Sequence, residues 1–253
     1  MRVSIDAHGI SRFGGGRTYM LPILKTMATQ FPEVAFDVWV DGRQSALGDL
    51  GNVTQYVLAV RNRFLARLML QLTMPVLSRR RGSNIAHFMK NLTLTGVADR
   101  SVVTIYDLHP LIDPGIYPAS DVLYWRRFQP AALQRVDRII AISKRTAQDL
   151  VRLYGIQPDK IEVIYPGIAP DFRPRSADEI GATLGQHGIA THYVLHVGAI
   201  SPKKNLESLI RAFAVVKAGG YGGQLVLVGP VYEKLAGIPL FRLAAEAGVG
   251  DSL

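Results

Sequence analysis

The sequence predicts an α/β protein built on a doubly wound, mainly parallel sheet. Short apolar runs of strand length recur along the chain without regular polar alternation, as expected for strands that are buried on both faces. Stretches with apolar residues at helical spacing separate these runs, and turn-forming residues mark the junctions. Strands and helices that alternate in this way favour a parallel sheet with crossover helices.

Seven strands and four helices are predicted in the first part of the chain. The strands are 2–6, 35–40, 53–58, 84–88, 101–105, 138–142 and 161–164, and the helices are 17–30, 61–78, 120–135 and 143–154. A stretch at 165–174 with three prolines and a glycine then interrupts the pattern, because these residues disfavour helix and strand interiors. We therefore expect two domains, residues 1–170 and 176–253.

The second predicted domain has fewer elements. They are a helix at 177–186, a strand at 193–197, a helix at 204–218, a strand at 224–229 and a helix at 232–247. Two parallel strands leave an open sheet edge and little core. We therefore expect the first domain to be complete and the second to be only partly present, as in a chain truncated within its C-terminal domain.

Composition restricts the class of protein. Hydrophobic residues make up 48% and charged residues 19% of 253 residues, which is typical of a globular chain that can bury a core. The absence of cysteine excludes disulfides and thiolate metal sites. The chain starts with a strand pattern rather than a signal peptide, and no apolar run reaches the ~18–20 residues of a membrane span. These features predict a cytoplasmic protein.

The positive charge is concentrated in one segment. The net charge is +9, and residues 61–81 contain six arginines and no acidic residue. Between the arginines, apolar residues recur at helical spacing: Phe64, Leu65, Leu68, Met69 and Leu72. Such a helix can lie on an anionic membrane surface, here the inner membrane face, or it can pack on its own sheet with the arginines in solvent. Nucleic acid is a less favoured partner, because stacking aromatics and a known binding motif are missing.

A glycine-rich turn follows the first predicted strand. Gly14, Gly15 and Gly16 precede the first helix, where glycine lets a ligand approach the backbone and the helix N-terminus presents free N–H groups. The turn is either an anion site or a flexible loop.

Polar residues also follow two later strands, at the strand ends where open α/β sheets bind ligands. Tyr106, Asp107 and His109 come after strand 101–105, and Ser143 comes after strand 138–142. His109 is a candidate catalytic residue or an ordinary loop hydrogen-bonding group. Ser143 is a natural helix N-cap and a candidate phosphate ligand.

The most informative motif lies in the second domain. Strand 193–197 leads into Gly198 and a Ser-Pro turn, then Lys203, Lys204 and Asn205 precede an amphipathic helix and a second apolar strand. Two lysines at a helix start oppose the helix dipole, so a bound anion there makes physical sense. The alternative is a pair of solvated lysines.

This turn resembles the Gly-x-x-x-Pro-x-Lys-Asn/Gly turn of retaining, glycogen-synthase-like glycosyltransferases of family 4. The resemblance implies two Rossmann-like domains in the GT-B arrangement, with Lys204 on the donor diphosphate. It also implies that Gly14–Gly16 and Ser143 face the donor phosphates. Relatives carry a histidine where this chain has Tyr106, so the role would pass to His109 or be lost. The frequent arginine after the turn glycine is Ala199 here.

The resemblance implies a metal-independent enzyme without a further cofactor. It would move a sugar, with mannose slightly favoured, from a nucleotide sugar to a glycan or lipid-linked acceptor with retention of configuration. A pair of glutamates separated by seven residues, typical of the family's second domain, is missing. An inactive fragment that binds an acceptor, a membrane or another acidic partner therefore stays open, as does a basic surface-binding module.

Overall fold

The computed structural model describes residues 1–11, 14–41, 47–58, 60, 62–91, 96–169, 171–230 and 240–253. The chain divides into two compact units, residues 1–169 and 170–253. Each unit contains its own sheet.

The first unit is built on a parallel sheet of seven strands. The strands are β1 (Arg2–Asp6), β2 (Ala35–Asp41), β3 (Val53–Leu58), β4 (Ile85–Phe88), β5 (Arg100–Ile105), β6 (Arg138–Ala141) and β7 (Ile161–Val163). Their order is β3-β2-β1-β4-β5-β6-β7, with Ile5 aligned with Val38 on one side and with His87 on the other. The predicted doubly wound α/β class is confirmed, and the strand order reverses direction between β1 and β4.

Helices connect the strands of this sheet. They are α1 (Gly15–Gln30), α2 (Arg63–Arg80), α3 (His109–Ile112), α4 (Ala119–Arg127), α5 (Gln129–Arg135) and α6 (Lys144–Tyr154). The prediction of a single helix at 120–135 was wrong, because one helix ends at Arg127 and the next begins at Gln129. Pro130 explains the break, since it has no N–H to donate to the preceding turn and its ring crowds that turn.

Two apolar clusters form the core of the first unit. One includes Met20 and Leu24 of α1, and the other includes Leu70 and Met74 of α2. The central strand β1 is fully buried over its last four residues. Burial on both sides explains the continuous apolar runs of the sequence.

One buried charge in this unit is fully compensated. The Asp37 carboxylate on β2 is inaccessible to solvent and accepts hydrogen bonds from Arg2 at 3.0 Å and from Arg81 at 2.9 Å. Two partly exposed guanidinium groups thus pair with one buried carboxylate, and charge-assisted hydrogen bonds of this kind are stronger than neutral ones.

The second unit is smaller and contains two parallel strands. Its elements are α7 (Ala177–His187), β8 (Tyr193–Val197), α8 (Leu206–Ala218), β9 (Gln224–Val228) and α9 (Leu240–Glu246). Ile210, Phe213 and Leu225 are buried between α8 and the sheet. The predicted helix 232–247 lies partly outside the described residues, which cover it only from residue 240.

No helix among the described residues is long and apolar enough to cross a membrane.

Candidate functional site

The candidate residues of the first unit lie beyond the carboxyl ends of β1, β5 and β6. Because parallel strands are about 4.8 Å apart, the segments that follow β1 and β6 begin about 14 Å from one another along this edge. Ligands of open α/β sheets bind outside this edge, at the point where the strand order reverses. The topology therefore places Gly14–Gly16, His109 and Ser143 along one edge.

The glycine-rich turn forms the N-terminus of α1. Gly14 is the N-cap residue with φ +136°, a value in the region that favours glycine, and no side chain caps the helix. The first turn also contains no acidic residue. Its N–H groups and the positive end of the helix dipole are thus available to an anion.

Tyr106 joins three elements at this edge. Its hydroxyl donates to the Met89 carbonyl at 2.8 Å, and its ring packs edge-on against Tyr19 of α1 with centroids 5.2 Å apart. Its own carbonyl accepts a hydrogen bond from the Thr146 hydroxyl of α6 at 2.9 Å. Burial raises the pKa of the Tyr106 phenol. Where relatives are expected to carry histidine, this chain therefore has a neutral residue that holds the edge together.

Asn91 supports Tyr106 from the neighbouring strand end. Its side-chain oxygen accepts the Tyr106 N–H at 3.0 Å, and its own backbone has φ +49°. The Gln129 amide in turn donates to the Asn91 carbonyl at 2.7 Å. Sequence reasoning missed this residue, although an Asn after a strand is a known signal for left-handed backbone.

His109 lies near the same edge. It is the first residue of the short helix α3 rather than part of an irregular loop. Its N–H donates to the Asp107 carboxylate at 3.0 Å, and its Nδ1 lies 3.2 Å from the Tyr117 hydroxyl. When Tyr117 donates to Nδ1, the Nε2 atom carries the proton and can donate to a ligand oxygen.

Ser143 caps helix α6, as predicted. Its hydroxyl accepts the Thr146 N–H at 3.1 Å, and the side chain is half-buried. The cap satisfies one N–H of the first helical turn. A phosphate ligand at Ser143 would have to share that hydroxyl with the helix.

The lysines of the second unit lie in a turn that precedes α8. The helix predicted from residue 204 begins instead at Leu206, after a 3-10 turn at Pro202–Lys204. Asn205 separates the two with φ +50°, a conformation that asparagine tolerates well. Lys203, Lys204 and Asn205 are all exposed. The lysines therefore lie just outside the helix N-terminus, which no side chain of the described residues caps.

Glycines bring the ends of β8 and β9 close together beside this turn. A Cβ at Gly229 would overlap the carbonyl of Gly198, and a Cβ at Gly198 would contact the Lys204 side chain at 3.8 Å. The same Cβ would lie 3.3 Å from His196 Nε2. The Lys204 and His196 side chains thus both approach the Gly198 backbone at the end of β8.

His196 is a candidate that sequence reasoning missed. Its Nε2 atom is buried and has no hydrogen-bond partner among the described residues. A buried ring nitrogen without a partner is unusual in a folded protein. The sequence shows only a histidine within an apolar strand, which is no signal for a site by itself.

The predicted set is divided between the two units. Gly14–Gly16, His109 and Ser143 belong to the first unit, and Lys203, Lys204 and Asn205 belong to the second. Each group lies at the carboxyl ends of parallel strands, with helix N-termini nearby. Such an arrangement is typical of proteins that bind phosphorylated ligands on Rossmann-like domains.

Comparison with solved structures supports the Rossmann-like fold. The crystal structure of Anabaena Alr3699/HepE in complex with UDP-glucose superposes with a TM-score of 0.69 at 16% sequence identity, over 100% of this chain and 67% of that one. This likeness shows the fold, which is that of glycosyltransferases with two Rossmann-like domains. The predicted fold class is confirmed.

Comparison of sequences then identifies the family. Residues 13–172, more than half of the chain, match the model of Glycosyltransferase Family 4. The chain belongs to glycosyltransferase family 4.

Curated relatives match over shorter regions. O-antigen chain mannosyltransferase B of Escherichia coli is 25% identical over 127 residues, which are 50% of this chain and 33% of the relative. D-inositol 3-phosphate glycosyltransferase of Thermomonospora curvata is 38% identical over 128 residues, which are 46% of this chain and 30% of the relative. The matched regions span about a third of these relatives.

Proposed function

We propose that this chain binds a nucleotide sugar and transfers its sugar to a glycan or lipid-linked acceptor, with retention of configuration and without a metal ion or further cofactor. Family membership supports the reaction class, which is sugar transfer. The resemblance of the lysine turn to the family motif supports the other parts of the proposal, namely the nucleotide-sugar donor, the retention of configuration and the independence from a metal ion or cofactor. Mannose is the preferred sugar, because a similar protein is named as a mannosyltransferase. A lipid-linked acceptor agrees with the predicted membrane contact of residues 61–81.

One observation carries the proposal. Lys204 lies over the carboxyl end of β8, just ahead of the uncapped N-terminus of α8. A cation and a row of backbone N–H groups in this position can hold the diphosphate of a nucleotide sugar. Negative charge grows on that diphosphate as the bond to the sugar breaks, and a fixed cation stabilises it.

The remaining candidates have supporting roles. Lys203 and Asn205 would help to fix the phosphates in the second unit. The N-termini of α1, at Gly14–Gly16, and of α6, at Ser143, would present N–H groups and a hydroxyl to phosphate oxygens. The Nε2 atom of His109 would bond a sugar or acceptor hydroxyl, which orients it for transfer.

Calorimetry tests the donor site. We would titrate GDP-mannose, UDP-glucose and UDP-N-acetylglucosamine into the chain and into the variants Lys204→Ala and Lys217→Ala. We expect Lys204→Ala to weaken binding at least tenfold, since a charged hydrogen bond is worth about 1.5–3 kcal/mol. Lys217 is the matched control, because it lies in the last turn of α8, at the opposite end of that helix from Lys204.

Two outcomes would contradict the proposal. Equal affinity of Lys204→Ala and the unaltered chain would exclude the phosphate role of this lysine. Failure to bind any nucleotide sugar would exclude a donor site in this chain. Release of the nucleoside diphosphate on addition of a glycan or lipid-linked acceptor, with and without EDTA, separates metal-independent transfer from binding alone.

A further inference from the structure

Helix α2 exposes an apolar stripe to solvent. The stripe consists of five side chains with exposed fractions between 38% and 63%: Leu65, Leu68, Met69, Leu72 and Val76. At 3.6 residues per turn, these positions fall within about 100° of the helix circumference. The buried face of the helix is a different one, formed by Ala66, Leu70 and Met74. The stripe therefore belongs to the surface of the first unit.

This finding bears on the two interpretations of the segment that the sequence left open. A helix that only packs on its own sheet would expose arginines and bury its leucines. The structure instead leaves Leu65, Leu68 and Leu72 in solvent. Single exposed apolar residues are common, but a contiguous stripe on one helix marks an interaction surface.

Charge extends the stripe at the end of the helix. Arg79 and Arg80 are exposed in the last turn, and at helical spacing they lie on the stripe's side of α2. Residues 63–80 contain no acidic residue. The surface thus combines apolar side chains along about 22 Å of helix with two exposed arginines at its end, which form no ion pair with another described residue.

Helix α4 contributes a second exposed surface to the first unit. Arg67 of α2 opposes, without cancelling, the rise that burial causes in the pKa of the Tyr124 phenol of α4. Helix α4 and its C-cap residue also expose large apolar side chains, Leu123 and Phe128, each 59% accessible. Arginines 126 and 127 are exposed between them.

Charge complementarity selects the occupant of this surface. A second copy of the chain, docked through the same stripe, would bring two arginine-bearing, acid-free helices face to face, and like charges repel. Nucleic acid would place phosphates against leucines. An anionic lipid surface accepts both features, because the leucines enter the boundary between head groups and acyl chains while arginines contact lipid phosphates.

We propose that the stripe of α2, with Arg79 and Arg80, docks the first unit onto an anionic membrane surface. This docking deepens the membrane contact included in the proposed function by naming its surface. It does not require that a sugar be transferred. Lys204 of the proposed donor site belongs to the second unit and the stripe belongs to the first, so the two can be tested separately.

Vesicle binding tests the proposal. The full chain would be sedimented with phosphatidylcholine vesicles that contain or lack phosphatidylglycerol. We expect binding to the anionic vesicles and at least tenfold weaker binding of L68S/L72S, since two leucines lose their apolar contact. The affinity of R79Q/R80Q for the anionic vesicles should also fall about tenfold. The remaining binding of this variant should depend less on phosphatidylglycerol.

Control variants separate docking from folding and from donor binding. V215S/V216S changes two exposed valines of α8 and should bind vesicles like the unaltered chain. Lys204→Ala should bind vesicles normally, and L68S/L72S should bind GDP-mannose normally. Unaltered tryptophan fluorescence of L68S/L72S would show that its first unit is folded, since both tryptophans lie there.

Three results would overturn the proposal. The unaltered chain could fail to bind anionic vesicles, or bind both vesicle types equally. L68S/L72S could bind anionic vesicles as well as the unaltered chain does. Light scattering could show that the unaltered chain is a dimer and that L68S/L72S is a monomer, in which case the stripe binds a second copy of the chain.

Discussion

Acidification should destabilise the first unit through one buried histidine. His87 lies on the central strand β4, and its Nε2 is 2.9 Å from the Thr104 hydroxyl on β5. Burial lowers the pKa of His87 to about 4, because the charged imidazolium would be removed from water. The histidine is therefore neutral in the folded protein near pH 7.

The direction of the effect follows from the two pKa values. The unfolded chain, with a histidine pKa of about 6.5, binds the proton more tightly than the folded chain does. Stability is fully present above pH 6.5 and falls as the pH falls towards 4. The loss is about 2 kcal/mol at pH 5 and about 3.4 kcal/mol once the pH is below 4.

Urea unfolding followed by tryptophan fluorescence measures this loss. Both tryptophans, Trp39 and Trp125, lie in the first unit, so the signal reports this unit alone. The matched variant is His87→Gln, which cannot take up the proton but can still bond Thr104. We expect the unaltered chain to lose about 2 kcal/mol more than the variant between pH 7 and pH 5.

Comparison with the variant removes the contribution of other groups. Burial raises the pKa of Asp6, and a carboxyl group of this kind has the opposite effect, since it favours the folded state as the pH falls. That contribution is common to both proteins and cancels in the difference. Equal losses of stability in the two proteins would refute the role of His87.

Three further substitutions test the geometry of the site. Tyr106→Phe removes the hydrogen bond to the Met89 carbonyl and should lower the stability of the first unit by about 1–2 kcal/mol in the same fluorescence assay; no change would mean that the bond contributes nothing. Ser143→Ala removes the N-cap of α6 and should lower the stability of the first unit by about 1 kcal/mol, whereas Ser143→Thr should retain most of the stability that the cap contributes. Gly229→Ala forces the ends of β8 and β9 apart and should speed amide exchange in β8, with Gly222→Ala as the control in open space; unaltered exchange would contradict the close approach.

Much of the fold follows from local patterns. The strands β1, β2, β3, β5, β8 and β9 were predicted within two residues of their observed ends, because apolar runs and turn residues mark them directly. The break at residue 128 was missed, since an amphipathic pattern continues across Pro130. The start of α8 was misplaced by two residues, because a 3-10 turn that directly precedes a helix is too short to be distinguished from helix by its sequence pattern.

The site could be predicted only in part. Glycines, a lysine turn and polar residues at strand ends are visible in the sequence and resemble the family motif. The support that Asn91, Tyr19 and Thr146 give to Tyr106 joins residues 15 to 87 positions apart, and no local pattern encodes it. The buried Nε2 of His196 likewise depends on how β8 packs against the lysine turn.

The sequence by itself determined the α/β class, the positions of most elements and the family resemblance, because these depend on periodicity and on residues close together in the chain. The tertiary structure decided which face of α2 is buried and which is exposed. Both faces of this helix carry apolar residues, so periodicity alone could not choose between them. Packing against the sheet buries Leu70 and Met74 and leaves the stripe in solvent, since one helix can present only one face to the core.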